Sequence, residues 1–104
     1  MQKLTIFYMQ GCPYCVSARR AAEALQAEDE RYRAVEIEWI DENRQPKLAR
    51  DRDYYYVPSV FMGDEKLYEC KPAHSDAVIA ANLREAFERA AGEGEGRKQE
   101  VGGN

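Results

Sequence analysis

Apolar positions along the chain switch between two periods. Leu4-Thr5-Ile6-Phe7-Tyr8-Met9 is nearly continuous. It predicts a first strand over residues 3–9, central in a sheet and buried on both faces. From Pro13 to Glu28, Cys15, Ala18, Ala22 and Leu25 recur at helical spacing and form one core-facing stripe. Its small alanines let that helix lie close to the sheet. Residues 34–40 alternate instead. Val35, Ile37 and Trp39 share one face; Glu36 and Glu38 share the other and would protect a sheet edge. Pairing this strand in parallel with the first, through a crossover helix, gives a right-handed βαβ unit.

Asp41-Glu42-Asn43 opens a short helix over 44–52, with Pro46 in its first turn and Leu48 and Ala49 facing inward. Tyr54, Tyr55 and Tyr56 are expected to begin the next strand with one ring buried, with a platform for substrate polypeptide as the alternative reading, and Ser59-Val60-Phe61-Met62 continues the strand. Gly63-Asp64 is a turn signal, and residues 65–69 return as the second arm of a hairpin. Ser75 suits an N-cap, and Asp76 adds negative charge where the helix dipole favours it. The last helix runs to Ala91, with Ile79, Leu83, Ala86, Phe87 and Ala90 on its buried face and Gly92 ending it. The element order is β-α-β-α-β-β-α: an α/β fold with a four-stranded mixed sheet and helices on both faces. Residues 1–91 form the domain. Residues 92–104 hold five of the seven glycines and one large apolar side chain, Val101, and predict a disordered tail.

At 104 residues the chain supports one core. Its net charge of −4, with no cluster of lysine or arginine, argues against nucleic acid as a main partner. The first apolar run is too short for a signal-peptide core or a membrane span. A cytoplasmic monomer with no membrane partner is expected. Three cysteines do not suit a secreted disulfide scaffold, which would pair an even number.

What changes the picture is Cys12-Pro13-Tyr14-Cys15, set where the first strand gives way to the first helix. Pro13 fits the first helical position, because its missing N–H would be unpaired there anyway. Cys12 then takes the N-cap, facing free backbone N–H groups and the positive end of the dipole. That placement favours thiolate, which is the nucleophile, and cysteines at helix starts can have pKa values of roughly 3.5–7.5 rather than about 8.5. Cys15 lies one turn deeper on the same side. Cys12 is therefore the attacking thiol and Cys15 the resolving thiol of a thiol–disulfide oxidoreductase.

With these residues in place, the chain resembles the dithiol glutaredoxins, small members of the thioredoxin-like fold. Cys12-Pro13-Tyr14-Cys15 matches their redox motif, and Val57-Pro58 matches their Thr-Val-Pro with Tyr56 in place of threonine. The resemblance covers residues 3–91. It implies a cis bond before Pro58, facing the thiols. Val57 would offer its backbone N–H and C=O to an extended peptide such as glutathione. Tyr14, Val57, Pro58, Ser75 and Asp76 would form the substrate or glutathione site. Glutathione would be co-substrate, with no bound cofactor and no metal. Partners would be glutathione and disulfide-bearing or glutathionylated proteins.

The chain also departs from the family. Met9 stands where many members have a lysine, so Lys47 or Arg52 would have to grip a glutathione carboxylate instead. Tyr68-Glu69 replaces a Gly-Gly pair, and Lys71-Pro72-Ala73-His74 separates Cys70 from Ser75-Asp76. These departures suit an alternative, a thioredoxin-like reductant recharged by an NADPH-dependent flavoprotein reductase. A second alternative takes Cys12, Cys15, Cys70 and His74 as a Cys₃His zinc site in a non-enzymatic binding or interaction module. Against it, a closed site would sequester both thiols and leave Val57-Pro58 without a purpose. Otherwise Cys70 reads as a small strand-end residue or a glutathionylation site, and His74 as a solvent-exposed residue near a helix start.

Overall fold

The computed structural model describes residues 1–92; the predicted tail lies outside the described residues, apart from Gly92. The strands are β1 (Leu4–Tyr8), β2 (Ile37–Asp41), β3 (Ser59–Met62) and β4 (Glu65–Glu69). The helices are α1 (Pro13–Glu28), α2 (Glu30–Arg33), α3 (Pro46–Arg50) and α4 (Asp76–Gly92). Among the described residues the strands form one sheet in the order β2-β1-β3-β4, with β1–β2 parallel and the other pairs antiparallel. The central apolar run thus takes a central place, and the glutamate-bearing strand takes an edge.

Side-chain alternation divides the core into two layers. Leu4, Ile6, Val60 and Met62 face α1 and α4, where they meet Ala18, Ala22, Leu25, Ile79, Leu83 and Phe87. Phe7, Ile40 and Phe61 point the other way and are covered by Ala49 of α3, Tyr54 and Val57. Helices therefore lie on both faces. The predicted stripes of α1 and α4 are the buried ones.

Four local expectations change. Residues 30–33 form a helical turn before β2, capped by Asp29, whose carboxylate accepts the Arg31 N–H at 2.9 Å. The turn buries Tyr32 against Phe87 and hydrogen-bonds its hydroxyl to Glu88. β2 consequently begins at Ile37 rather than residue 34. Leu48 is exposed, because a five-residue α3 has room to turn only Ala49 inward. Tyr54–56 are not in β3: other groups claim their hydrogen-bonding capacity, as described below. Finally, α4 includes Gly92 instead of stopping before it.

β4 carries a bulge. Val60 pairs with Tyr68 but Phe61 pairs with Lys66, so Leu67 is the extra residue. Leu67 and Tyr68 then both face the α1–α4 core, which returns Lys66 and Glu69 to a shared side. In a regular strand, residues three apart face opposite ways.

Candidate active site

The register locates the site. Phe7 pairs with Ser59 and Tyr8 with Asp41, so Pro58 lies beside the end of β1 from which the cysteine loop departs. Gly11, at φ +81, takes the left-handed conformation that glycine adopts at no steric cost. Cys12 then has extended backbone angles and caps α1, with Pro13 in the first turn and the Cys12 carbonyl accepting the Val16 N–H at 3.0 Å. The Cys12 side chain is half-buried and accepts no capping hydrogen bond. Cys15 and Cys70 are buried, and all three cysteines are free thiols.

Burial pushes the Cys15 thiol up to about 12, even though a backbone hydrogen bond at Met9 acts downward. The neighbouring Cys12, through hydrogen bonding and charge, raises it further, and so does Cys70. Burial likewise raises the Cys70 thiol, opposed by the nearby Tyr68 hydroxyl, while the charge of Cys12 raises it. One sulfur is thus open at a helix start, and two are held in the thiol form behind it. A half-buried sulfur with a protonated reserve behind it is an arrangement suited to stepwise disulfide exchange.

The other predicted residues surround this trio. The Val57–Pro58 bond is cis. Pro58 is buried, and its carbonyl accepts the Cys70 N–H at 3.0 Å. Val57 packs with Phe7, Ile40 and Phe61 on the α3 face. Among the described residues, no hydrogen bond engages its backbone N–H or C=O.

Tyr14 packs partly into the core, and its hydroxyl accepts the Ala73 N–H at 3.0 Å. It is a strut between the cysteine motif and the loop before α4, not only a surface group. Ser75 caps α4, its hydroxyl accepting the Val78 N–H at 3.2 Å. Asp76 is exposed and lines an open cleft of about 680 Å³ with Gly11, Pro13, Val16 and Arg20. Asp76 and Val57 therefore approach the motif from opposite faces of the sheet.

The two candidate carboxylate grips part company. α3 follows a strand parallel to β1, so it starts at the cysteine edge and runs back. Lys47, in its first turn, stays exposed near that edge. Arg52 lies at the far end: it donates to the Gly63 carbonyl at 2.7 Å and stacks over Phe61. Gly63 follows Met62, the partner of Leu4 at the start of β1. Arg52 is thus withdrawn from the site, and of the two only Lys47 remains.

His74 is not simply solvent-facing. Its Nδ1 accepts the Lys71 N–H at 3.2 Å and lies 2.8 Å from the Tyr68 hydroxyl, with the rings stacked. Because a backbone N–H can only donate, Nδ1 is the unprotonated nitrogen and the tyrosine hydroxyl donates to it. Between these anchors Pro72 and Ala73 turn the chain, with the His74 N–H bonded to the Lys71 carbonyl at 3.1 Å. Ala73 takes φ +74, which L side chains rarely adopt. Among the described residues, no group of three or more His, Cys, Asp or Glu is arranged to hold a metal ion.

Sequence patterning missed Glu69. Its side chain is only 6% exposed, with Lys66 Nζ at 2.8 Å and Lys71 Nζ at 3.6 Å. It also accepts the N–H groups of Tyr55 at 2.6 Å and Tyr56 at 2.8 Å, which keeps that segment out of the β3 ladder. The bulge that brings Lys66 beside it has no sequence signature. Burial alone would push this carboxyl up. The hydrogen bonds from Lys66, Tyr55 and Tyr56 win and bring it down to about 2.

A carboxylate depressed in the folded state stabilises the fold above its ordinary value, and that contribution is lost as pH falls toward the folded value. Stability supplied by Glu69 therefore disappears between about pH 4.5 and about pH 2. Glu69→Gln is expected to cost about 2 kcal/mol at neutral pH and to flatten the acid limb. Thermal unfolding of both proteins across that window checks this; parallel acid limbs would refute it.

The comparison with known families decides what the constellation belongs to. The family model described as Glutaredoxin matches residues 4–67, more than half of the chain. The chain belongs to the glutaredoxin family. It is accordingly a thiol–disulfide oxidoreductase on the thioredoxin-like fold. No individual curated protein matches it. The glutaredoxin match stops immediately before Tyr68-Glu69, where the two loop anchors begin. No helix among the described residues is long and apolar enough to cross a membrane.

Proposed function

We propose that this glutaredoxin reduces disulfides and glutathionylated proteins at the expense of glutathione, through Cys12 and Cys15. The observation that carries the proposal is the half-buried Cys12 at the α1 N-cap, backed by a Cys15 held as a thiol and flanked by the unpaired backbone edge of Val57. The Cys12 thiolate attacks the glutathione sulfur of a glutathionylated protein. The protein thiolate leaves and takes a proton, and Cys12 is left joined to glutathione. A second glutathione thiolate attacks that sulfur, releasing glutathione disulfide and restoring Cys12. With a protein disulfide, Cys12 first joins one substrate sulfur and the other leaves as thiolate. Cys15, on losing its proton, attacks Cys12, releases the second substrate thiol and closes the Cys12–Cys15 disulfide. Two glutathiones then reduce that disulfide.

In this reading Val57 pairs with the peptide backbone, Pro58 shapes the floor beside it, and Tyr14 braces the motif. Ser75 and Asp76 receive a charged end of glutathione at the start of α4, and Lys47 supplies the cation. The protein works as a cytoplasmic monomer, with residues 1–91 as the functional domain. One observation favours the second reading, a reductant recharged by an NADPH-dependent flavoprotein reductase: Arg52 is engaged elsewhere, and Met9 offers no charge. Oxidised protein exposed separately to glutathione and to such a reductase with NADPH separates the two. Rapid recovery of free thiols with glutathione alone is expected. Recovery only with the reductase would overturn the glutathione assignment.

A further inference from the structure

The segment before Val57 is fastened at nearly every residue, yet it turns two aromatic rings outward. Tyr55 is 89% exposed and Tyr56 45%. Both backbone N–H groups are held by the buried Glu69 carboxylate, and Lys66 Nζ donates to the Asp53 carbonyl at 3.0 Å. Tyr54 lies beneath, stacked on Phe7 with ring centroids 5.2 Å apart, its hydroxyl 2.7 Å from Glu42. The Ser59 hydroxyl donates to the Tyr56 carbonyl. A single exposed tyrosine is ordinary. Two on a backbone pinned by a buried carboxylate, directly before the unpaired edge of Val57, are not explained by folding.

We propose that Tyr55 and Tyr56 are specificity-determining contacts for the polypeptide part of a disulfide substrate, and that Glu69 is the residue that positions them. The proposal rests on the thiol–disulfide activity and deepens it by naming the substrate class: an extended, disulfide-bearing polypeptide rather than a small disulfide. A peptide lying along Val57 advances about 3.3 Å per residue. Residues one or two beyond the bonded cysteine therefore pass over the two rings. A small disulfide ends before reaching them. Tyrosine suits this role, because it offers a large amphipathic contact with few rotatable bonds to immobilise.

The test uses the full chain with two substrates, hydroxyethyl disulfide and a synthetic extended peptide carrying one intermolecular disulfide. The Tyr55→Ala/Tyr56→Ala double variant is expected to raise KM for the peptide about five- to tenfold, the equivalent of roughly 1–1.4 kcal/mol. Its kcat and its turnover of hydroxyethyl disulfide should stay within about twofold of wild type, inside the variation of an unaffected site. Glu69→Gln should reproduce the KM change without altering kcat, a split that mere loss of stability would not produce. If Glu69→Gln does not fold, the double variant decides alone, since it removes no buried group.

Equal losses on both substrates, or no change in peptide KM, would overturn the tyrosine assignment and leave the glutathione reading intact. The converse result is also distinguishable. If peptide reduction requires the flavoprotein reductase but the tyrosine effect persists, the glutathione reading fails and the tyrosine assignment stands.

Discussion

Cys12→Ser is expected to abolish exchange with every disulfide substrate, bringing the rate to that of the uncatalysed reaction. A serine hydroxyl at a helix N-cap can accept a hydrogen bond but does not ionise near neutrality, so no nucleophile remains at the exposed position. The other two sulfurs cannot take over. Cys15 and Cys70 are buried, and burial raises both thiols. Turnover of glutathionylated peptide and of peptide disulfide, measured at neutral pH, checks this. Retained activity would make Cys15 the attacking group and reverse the assignment.

Cys15→Ser is expected to divide the two activities. The variant keeps most of its turnover of glutathionylated peptide, because glutathione itself resolves the mixed disulfide on Cys12. It loses nearly all reduction of peptide disulfides and accumulates a covalent complex with the peptide, visible on a non-reducing gel. The structure gives the reason. Cys15 stands one helical turn along α1 from Cys12, which raises its thiol more than Cys70 does. Once Cys12 is in a mixed disulfide, its charge no longer raises Cys15, so the resolving thiol ionises more easily at that step. Equal loss of both activities would contradict the glutathione route.

The chemistry and the scaffold were legible for different reasons. The stripe Cys15-Ala18-Ala22-Leu25 has the period of a helix and is the buried face of α1. Ser59–Met62 and Glu65–Glu69 were bounded by Pro58 and by Gly63-Asp64, residues whose backbone preferences act locally. The helix over residues 30–33 was not legible, because Tyr32 is its one core residue and Val35, the apolar neighbour at i+3, reads as part of the alternating run that follows; Tyr32 is buried by Phe87, far along the chain. Leu48 was misplaced for a related reason. One turn of helix is too short for spacing to distinguish inside from outside.

At the site, sequence alone singled out the two thiols that we propose react. Cys12 and Cys15 stand at a strand-to-helix junction, and Pro13 fixes the helix start, all through neighbours only a few residues apart. Tertiary structure decided everything that depends on distant segments meeting. It set Cys70 and Pro58 together behind the thiols, tied Tyr14 to Ala73, and drew Arg52 away to Gly63. It also buried Glu69 beneath Tyr55 and Tyr56 through a bulge that shifts one residue of β4. A carboxylate's partners across such a turn are set by register and burial, which local spacing does not encode.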